Sequence, residues 1–170
     1  MRRAEKVRTV MTARPPIPPP PYTGRCLCGA VRYTLKARPL AINACHCQDC
    51  KRLTGATYNL ALTVLRKDLE HTGQLQAYHK TADSGRKAHV QRCAVCGTRM
   101  WHEPNALPEQ IFLLTGTLDD SSWAIPTGHI WIEKASPDTV FRDDAVRIEG
   151  QPKDRQPLLD AFAKIYGKQP

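Results

Sequence analysis

Seven cysteines in three tight clusters constrain this chain more than any other feature: Cys26-x-Cys28, Cys45-x-Cys47-x-x-Cys50 and Cys93-x-x-Cys96. Cysteines one or two residues apart can turn their sulfurs toward one point, as metal ligands do. An odd count leaves one thiol over in any disulfide framework. The spacing therefore reads as metal binding in a reducing, intracellular setting, and the expected location is cytoplasmic.

Zinc takes thiolates at about 2.3 Å and prefers four tetrahedral ligands; three protein ligands leave a position open for water or substrate. Seven cysteines divide as four plus three. The simplest division pairs Cys26 and Cys28 with Cys93 and Cys96 as a closed structural site. Cys45, Cys47 and Cys50 then form an open site, giving two zinc ions per chain. A fourth ligand from His46, His102 or His129 would close the second site and make both structural. His46, set between two ligating cysteines, is expected to point away.

Three thiolates leave zinc electron-rich, a weaker activator of water than a three-histidine site. Such a centre suits a sulfur-bearing substrate in the fourth position, held as the nucleophilic thiolate. Addition of that thiolate to a small aldehyde, or the reverse carbon–sulfur cleavage, is the chemistry the open site supports. Cys45, Cys47 and Cys50 are thus the candidate catalytic residues, and a small thiol–aldehyde adduct the candidate substrate. Lys51 and Arg52 are candidates for holding a substrate carboxylate, and Thr54 for donating to sulfur. Asp119 and Asp120 read first as turn residues. Trp101, Trp123 and Trp131 read as core or rim.

The formal charge of +9 invites a nucleic-acid reading, and the alternative function is a zinc-stabilised module whose basic arm contacts nucleic acid or a protein. Two things weigh against it. Residues 1–21 hold five basic residues against the single acid Glu5. Cysteine thiolates on zinc would cancel much of the remaining excess. No apolar run approaches a membrane span, and no apolar stretch follows the first arginines, so neither an anchor nor a secretory signal is read. Met11 is a second candidate start.

At 170 residues the chain suits one main domain. Residues 1–21 end in a proline run that cannot enter a helix or sheet interior and read as a disordered basic arm. Residues 22–150 form the zinc-binding domain, mainly β with short strands. Val31, Tyr33 and Leu35 alternate with polar residues. Tyr58, Leu60, Leu62 and Val64 mark one face of a second strand. Further strands are expected over Leu75–His79, Lys87–Arg92, Gln110–Thr115 and His129–Glu133, with turns at Lys67-Asp68, Gly73 and Thr81–Gly85. Leu40–Ala44 leads into the central cysteines, whose loop closes at Gly55. Residues 151–170 hold one helix, from Pro157 to Gly167, with Leu158, Leu159, Phe162, Ile165 and Tyr166 as its apolar stripe.

Three stretches resemble the glutathione-dependent formaldehyde-activating enzyme and centromere protein V family. They are Gly24-Arg25-Cys26-Leu27-Cys28-Gly29-Ala30-Val31-Arg32-Tyr33, Cys45 through Gly55, and Cys93-Ala94-Val95-Cys96-Gly97-Thr98-Arg99. Gly116–Asp120 and His129-Ile130-Trp131 look like its later signatures. The resemblance spans about Tyr22 to Ile148. It implies a mainly β, Mss4-like fold pinned by zinc, with a structural zinc on Cys26, Cys28, Cys93 and Cys96 and a catalytic zinc on Cys45, Cys47 and Cys50. It also implies carbon–sulfur lyase activity on the hemithioacetal of glutathione and formaldehyde. Arg92 departs from the family, which often has an aromatic there, and the proline-rich arm is not part of its pattern.

Overall fold

The computed structural model describes residues 13–81, 85 and 87–168. In chain order its regular elements are β1 (Tyr22–Arg25), β2 (Arg32–Leu35), β3 (Ala41–Cys45), α1 (Gln48–Thr54), β4 (Asn59–Leu65), β5 (Leu69–Thr72), β6 (Leu75–Thr81), β7 (Lys87–Cys93), β8 (Arg99–Pro104), β9 (Gln110–Leu114), β10 (Gly128–Ile130), β11 (Val146–Ile148) and α2 (Gln156–Tyr166). The fold is mainly β, as the pattern of short alternating strands predicts. A small sheet runs β1-β2-β5 and a large one β11-β10-β3-β4-β9-β8-β7-β6. Pairing is antiparallel except at β10, which lies parallel to both β3 and β11.

The core forms where the two sheets turn their apolar residues toward each other. Val31, Leu35, Ile42, Leu62, Val64, Met100, Trp101 and Leu113 are all essentially sealed from solvent. Gly73 closes the approach of β5 to the β1–β2 hairpin at a positive φ of 87°. A Cβ there would lie 2.0 Å from the Ala30 carbonyl oxygen, so only glycine fits.

Three local expectations need revision. The central loop contains a short helix, α1, for which Cys47 is the N-cap; Gly55 ends it at φ 66°. The strand expected to Glu133 stops at Ile130, because Trp131 takes a left-handed φ of 59° and a 3-10 turn follows. The C-terminal helix starts at Gln156, one residue before the proline. The turn expected over Thr81–Gly85 falls mostly outside the described residues.

The described parts of both terminal segments lie against the body of the fold. Residues 1–12 of the basic arm are outside the described residues. Over 13–21 the chain has no regular structure, as its prolines dictate, yet it is held. Arg14 donates from Nε and Nη2 to the Asp144 carboxylate at 2.7 and 2.8 Å, and from its remaining N–H groups to the carbonyls of Ile125 and Pro126. Ile17 packs on the core. At the other end, Leu158 and Phe162 of α2 are buried, Phe162 within the same core cluster as Leu35 and Ile42. Replacing Phe162 with alanine should lower unfolding free energy by about 3–5 kcal/mol in urea titration. A loss under about 1 kcal/mol would make the helix an appendage rather than part of the core.

Among the described residues no helix is long and apolar enough to cross a membrane.

Candidate metal centres

The sheets bring the seven cysteines into two groups, and none is in a disulfide. The Sγ atoms of Cys26, Cys28, Cys93 and Cys96 lie within 4.8 Å of one another, and so do those of Cys45, Cys47 and Cys50. No histidine or carboxylate among the described residues joins either group.

The first group joins the loop after β1 to the turn after β7. Cys26 Sγ is 3.5 Å from Cys28 Sγ, and Cys28 Sγ is 3.9 Å from Cys93 Sγ. A zinc tetrahedron with bonds of about 2.3 Å has an edge near 3.8 Å, so these separations match ligands of one ion. Backbone and hydroxyl donors already point at the sulfurs. Val31 N–H donates to Cys26 Sγ at 3.2 Å. Thr98 Oγ1 accepts from Leu27 N–H at 3.1 Å and lies 3.1 Å from Cys96 Sγ. Chiefly through the Thr98 hydroxyl, the Cys96 thiol is pulled down to about 5. Gly97, at φ 73°, makes the knuckle turn that lets its N–H bond the Cys93 carbonyl.

The second group sits where β3 ends. β10 pairs alongside β3, and His46 N–H donates to the Ile130 carbonyl, so the chain leaves the sheet at Cys45 and turns into α1. Cys47 Sγ accepts from Cys50 N–H at 3.4 Å. Hydrogen bonds from Cys45 and then Cys50 draw the Cys47 thiol down to about 2, while the contact with Cys47 pushes Cys45 far above the usual thiol range. Three thiols this close cannot all ionise in the absence of a cation, and a metal ion is the group that allows it. Both donor sets, all sulfur, therefore fit zinc.

The three sulfurs open onto a cavity of about 160 Å³ whose wall includes Asn59, Thr63, Lys80, His102, Trp131 and Arg155. Arg155 donates to Thr63 Oγ1 at 3.2 Å and lies 4.6 Å from the centre of the Phe112 ring. Asn43 also donates to Thr63 Oγ1. Lys80 pairs with Asp49 of α1 at 2.5 Å. Arg99 Nη2 donates to Asn59 Oδ1 and to His102 Nε2.

Other candidate residues take different places. His46 is fully buried and points to His129, Nε2 to Nδ1 at 3.1 Å. Lys51 donates to the Lys134 carbonyl, and neither Lys51 nor Arg52 lines the cavity. Thr54 donates to the Cys50 carbonyl, capping the helical turn. Asp119 accepts from Thr23, and Asp120 from Ser122 N–H in a turn. Trp101 and Trp123 are core, and Trp131 lines the cavity.

Burial, then the neighbouring His46, holds the His129 imidazole down to about 4. The unfolded chain takes a proton on this group below about pH 6.5. The stability it contributes is complete above that pH and is lost as the pH falls toward 4. In denaturant titrations of wild type and His129→Asn over this window, the variant should show a slope shallower by up to about 1.4 kcal/mol per pH unit.

A small and a large sheet carrying one four-sulfur and one three-sulfur group define a mainly β protein with two candidate metal centres. The chain belongs to the glutathione-dependent formaldehyde-activating enzyme family, whose model matches residues 21–134. It is also similar to a crystal structure of a Rhodobacter sphaeroides protein, with 25% identity and a TM-score of 0.46 over 57% of this chain and 87% of that one. None of the curated proteins matches this chain.

Proposed function

We propose that the protein is a zinc-dependent carbon–sulfur lyase that forms or cleaves a thiol–aldehyde adduct of the S-hydroxymethylglutathione kind, in a reducing, cytoplasmic setting. One observation carries this reading: the three-sulfur group, unlike a closed four-ligand site, faces a cavity large enough for a small substrate. Zinc on Cys45, Cys47 and Cys50 would supply a soft centre that holds substrate sulfur as thiolate. A second zinc on Cys26, Cys28, Cys93 and Cys96 would tie the two sheets.

The chain's own residues supply the remainder. Leu107, Phe112 and Ile130 give the cavity an apolar wall that limits water around the reacting carbon. Lys87 and Arg155 also line the cavity and bring positive charge to it, suited to the carboxylates of a peptide thiol.

The test is equilibration of glutathione with formaldehyde, followed by exchange NMR with and without zinc-loaded protein. Acceleration by wild type, with Cys47→Ser at the uncatalysed rate, supports the proposal. Equal rates with and without wild type would refute it for this substrate pair. Arg155→Ala should raise KM for glutathione about tenfold with a smaller effect on a thiol lacking carboxylates.

A further inference from the structure

His102 lines the same cavity as the three sulfurs but belongs to neither sulfur group. Its Nε2 lies 2.8 Å from Arg99 Nη2. A guanidinium has only donors and remains charged, so Nε2 accepts and carries no proton. The proton of the neutral ring is therefore on Nδ1. Nδ1 has no protein partner among the described residues and is not one of the sealed polar atoms, and His102 lines the cavity, so Nδ1 is the ring nitrogen left for a ligand there. The Arg99 guanidinium held against Nε2 also places a fixed positive charge beside the ring, which disfavours a second proton on it. Arg99 is itself fixed, since Nη2 also donates to Asn59 Oδ1 at 3.2 Å.

A neutral ring with its free N–H at a reaction cavity is a hydrogen-bond donor and a poor base. We propose that His102 is a catalytic residue that binds the substrate oxygen, its Nδ1–H donating to the hydroxyl or carbonyl oxygen of the thiol–aldehyde adduct. Arg99 is the positioning residue that fixes the tautomer. The assignment rests on the lyase reading above. In the forming direction the thiolate sulfur gives a pair to the carbonyl carbon, the C=O π pair moves onto oxygen, and that oxygen takes a proton from water. In cleavage the hydroxyl proton leaves to water, C=O re-forms and the C–S pair returns to sulfur. In both directions negative charge develops on oxygen, and His102 donates a hydrogen bond to it without transferring its proton.

The experiment combines kinetics and nitrogen NMR on the zinc-loaded full chain. Long-range ¹H–¹⁵N spectra of the imidazoles should show His102 as the Nδ1–H tautomer from pH 5 to 8, with a mixed tautomer in Arg99→Gln. His102→Leu should lower kcat about 100-fold, the loss typical of removing one such donor, while zinc content and KM for the thiol change by less than about threefold. His102→Asn, which sets an amide N–H near the place of Nδ1, should retain kcat within about tenfold of wild type. An Nε2–H tautomer, or undiminished kcat in His102→Leu, overturns this assignment while leaving the lyase reading intact. A wild type that accelerates no thiol–aldehyde pair overturns the lyase reading and this assignment with it.

Discussion

Replacing Cys93 with alanine should unfold the domain. Cys93 is 1% exposed and ends β7, and its sulfur lies 3.9 Å from that of Cys28 in the loop between β1 and β2. The four-sulfur group thus joins a strand of the large sheet to a hairpin of the small one. A structural zinc contributes on the order of 10–16 kcal/mol to folding in small zinc-binding peptides, as much as or more than the roughly 5–15 kcal/mol net stability of a domain. Losing even part of it, with a cavity left behind, should lower Tm by about 10–20 °C or abolish soluble expression. Circular-dichroism melts of Cys93→Ala and of wild type treated with a strong chelator should show the same collapse. A Tm within a few degrees of wild type would mean that no metal ties the sheets at this group.

Cys47→Ser should do the opposite, destroying turnover while leaving the fold intact. Cys47 is the N-cap of α1, and its sulfur accepts from Cys50 N–H. Serine is among the best N-cap residues, so the helix start survives the change. The oxygen is a poorer partner than sulfur for a soft three-thiolate site, and the remaining two cysteines do not hold zinc tightly. Metal content should fall by one equivalent, and carbon–sulfur lyase turnover to the uncatalysed rate, with a melting curve close to wild type. Full metal content together with full turnover would remove Cys47 from the site. The contrast between Cys93 and Cys47 separates the two groups: one substitution breaks the fold, the other the chemistry.

The sulfur groups were legible because ligand spacing is local: Cys-x-Cys and Cys-x-x-Cys carry their geometry in the turn itself. Strands with alternating faces, such as β2 and β4, were legible for the same reason. The cavity wall was half legible. Asn59, Ala61 and Thr63 alternate with Leu60, Leu62 and Val64, which reads as a solvent face, yet Asn59 and Thr63 are 4% and 1% exposed. They are buried because side chains from other elements lie over that face: Asn43 and Arg155 both donate to Thr63 Oγ1, and Arg99 donates to Asn59 Oδ1. That is a tertiary fact, and a buried polar face inside a strand was the available signal. Arg155 and Lys80 reach the cavity from α2's start and from β6, far away in sequence, and no local pattern announces them. The pairing of His46 with His129 likewise depends on β10 running parallel to β3, with His129 level with Ala44. α1 was missed because seven residues with no buried member carry no apolar stripe.

The most direct measurement of the central claim is sulfur coordination by zinc X-ray absorption on the two-zinc protein, before and after adding glutathione. One closed four-sulfur site and one open three-sulfur site average about 3.5 sulfurs per zinc, rising to about 4 when a thiol fills the open position. That rise should be absent in Cys47→Ser. An average that stays at about 3.5 with saturating glutathione, or one already at 4 without it, would contradict an open thiol-binding centre.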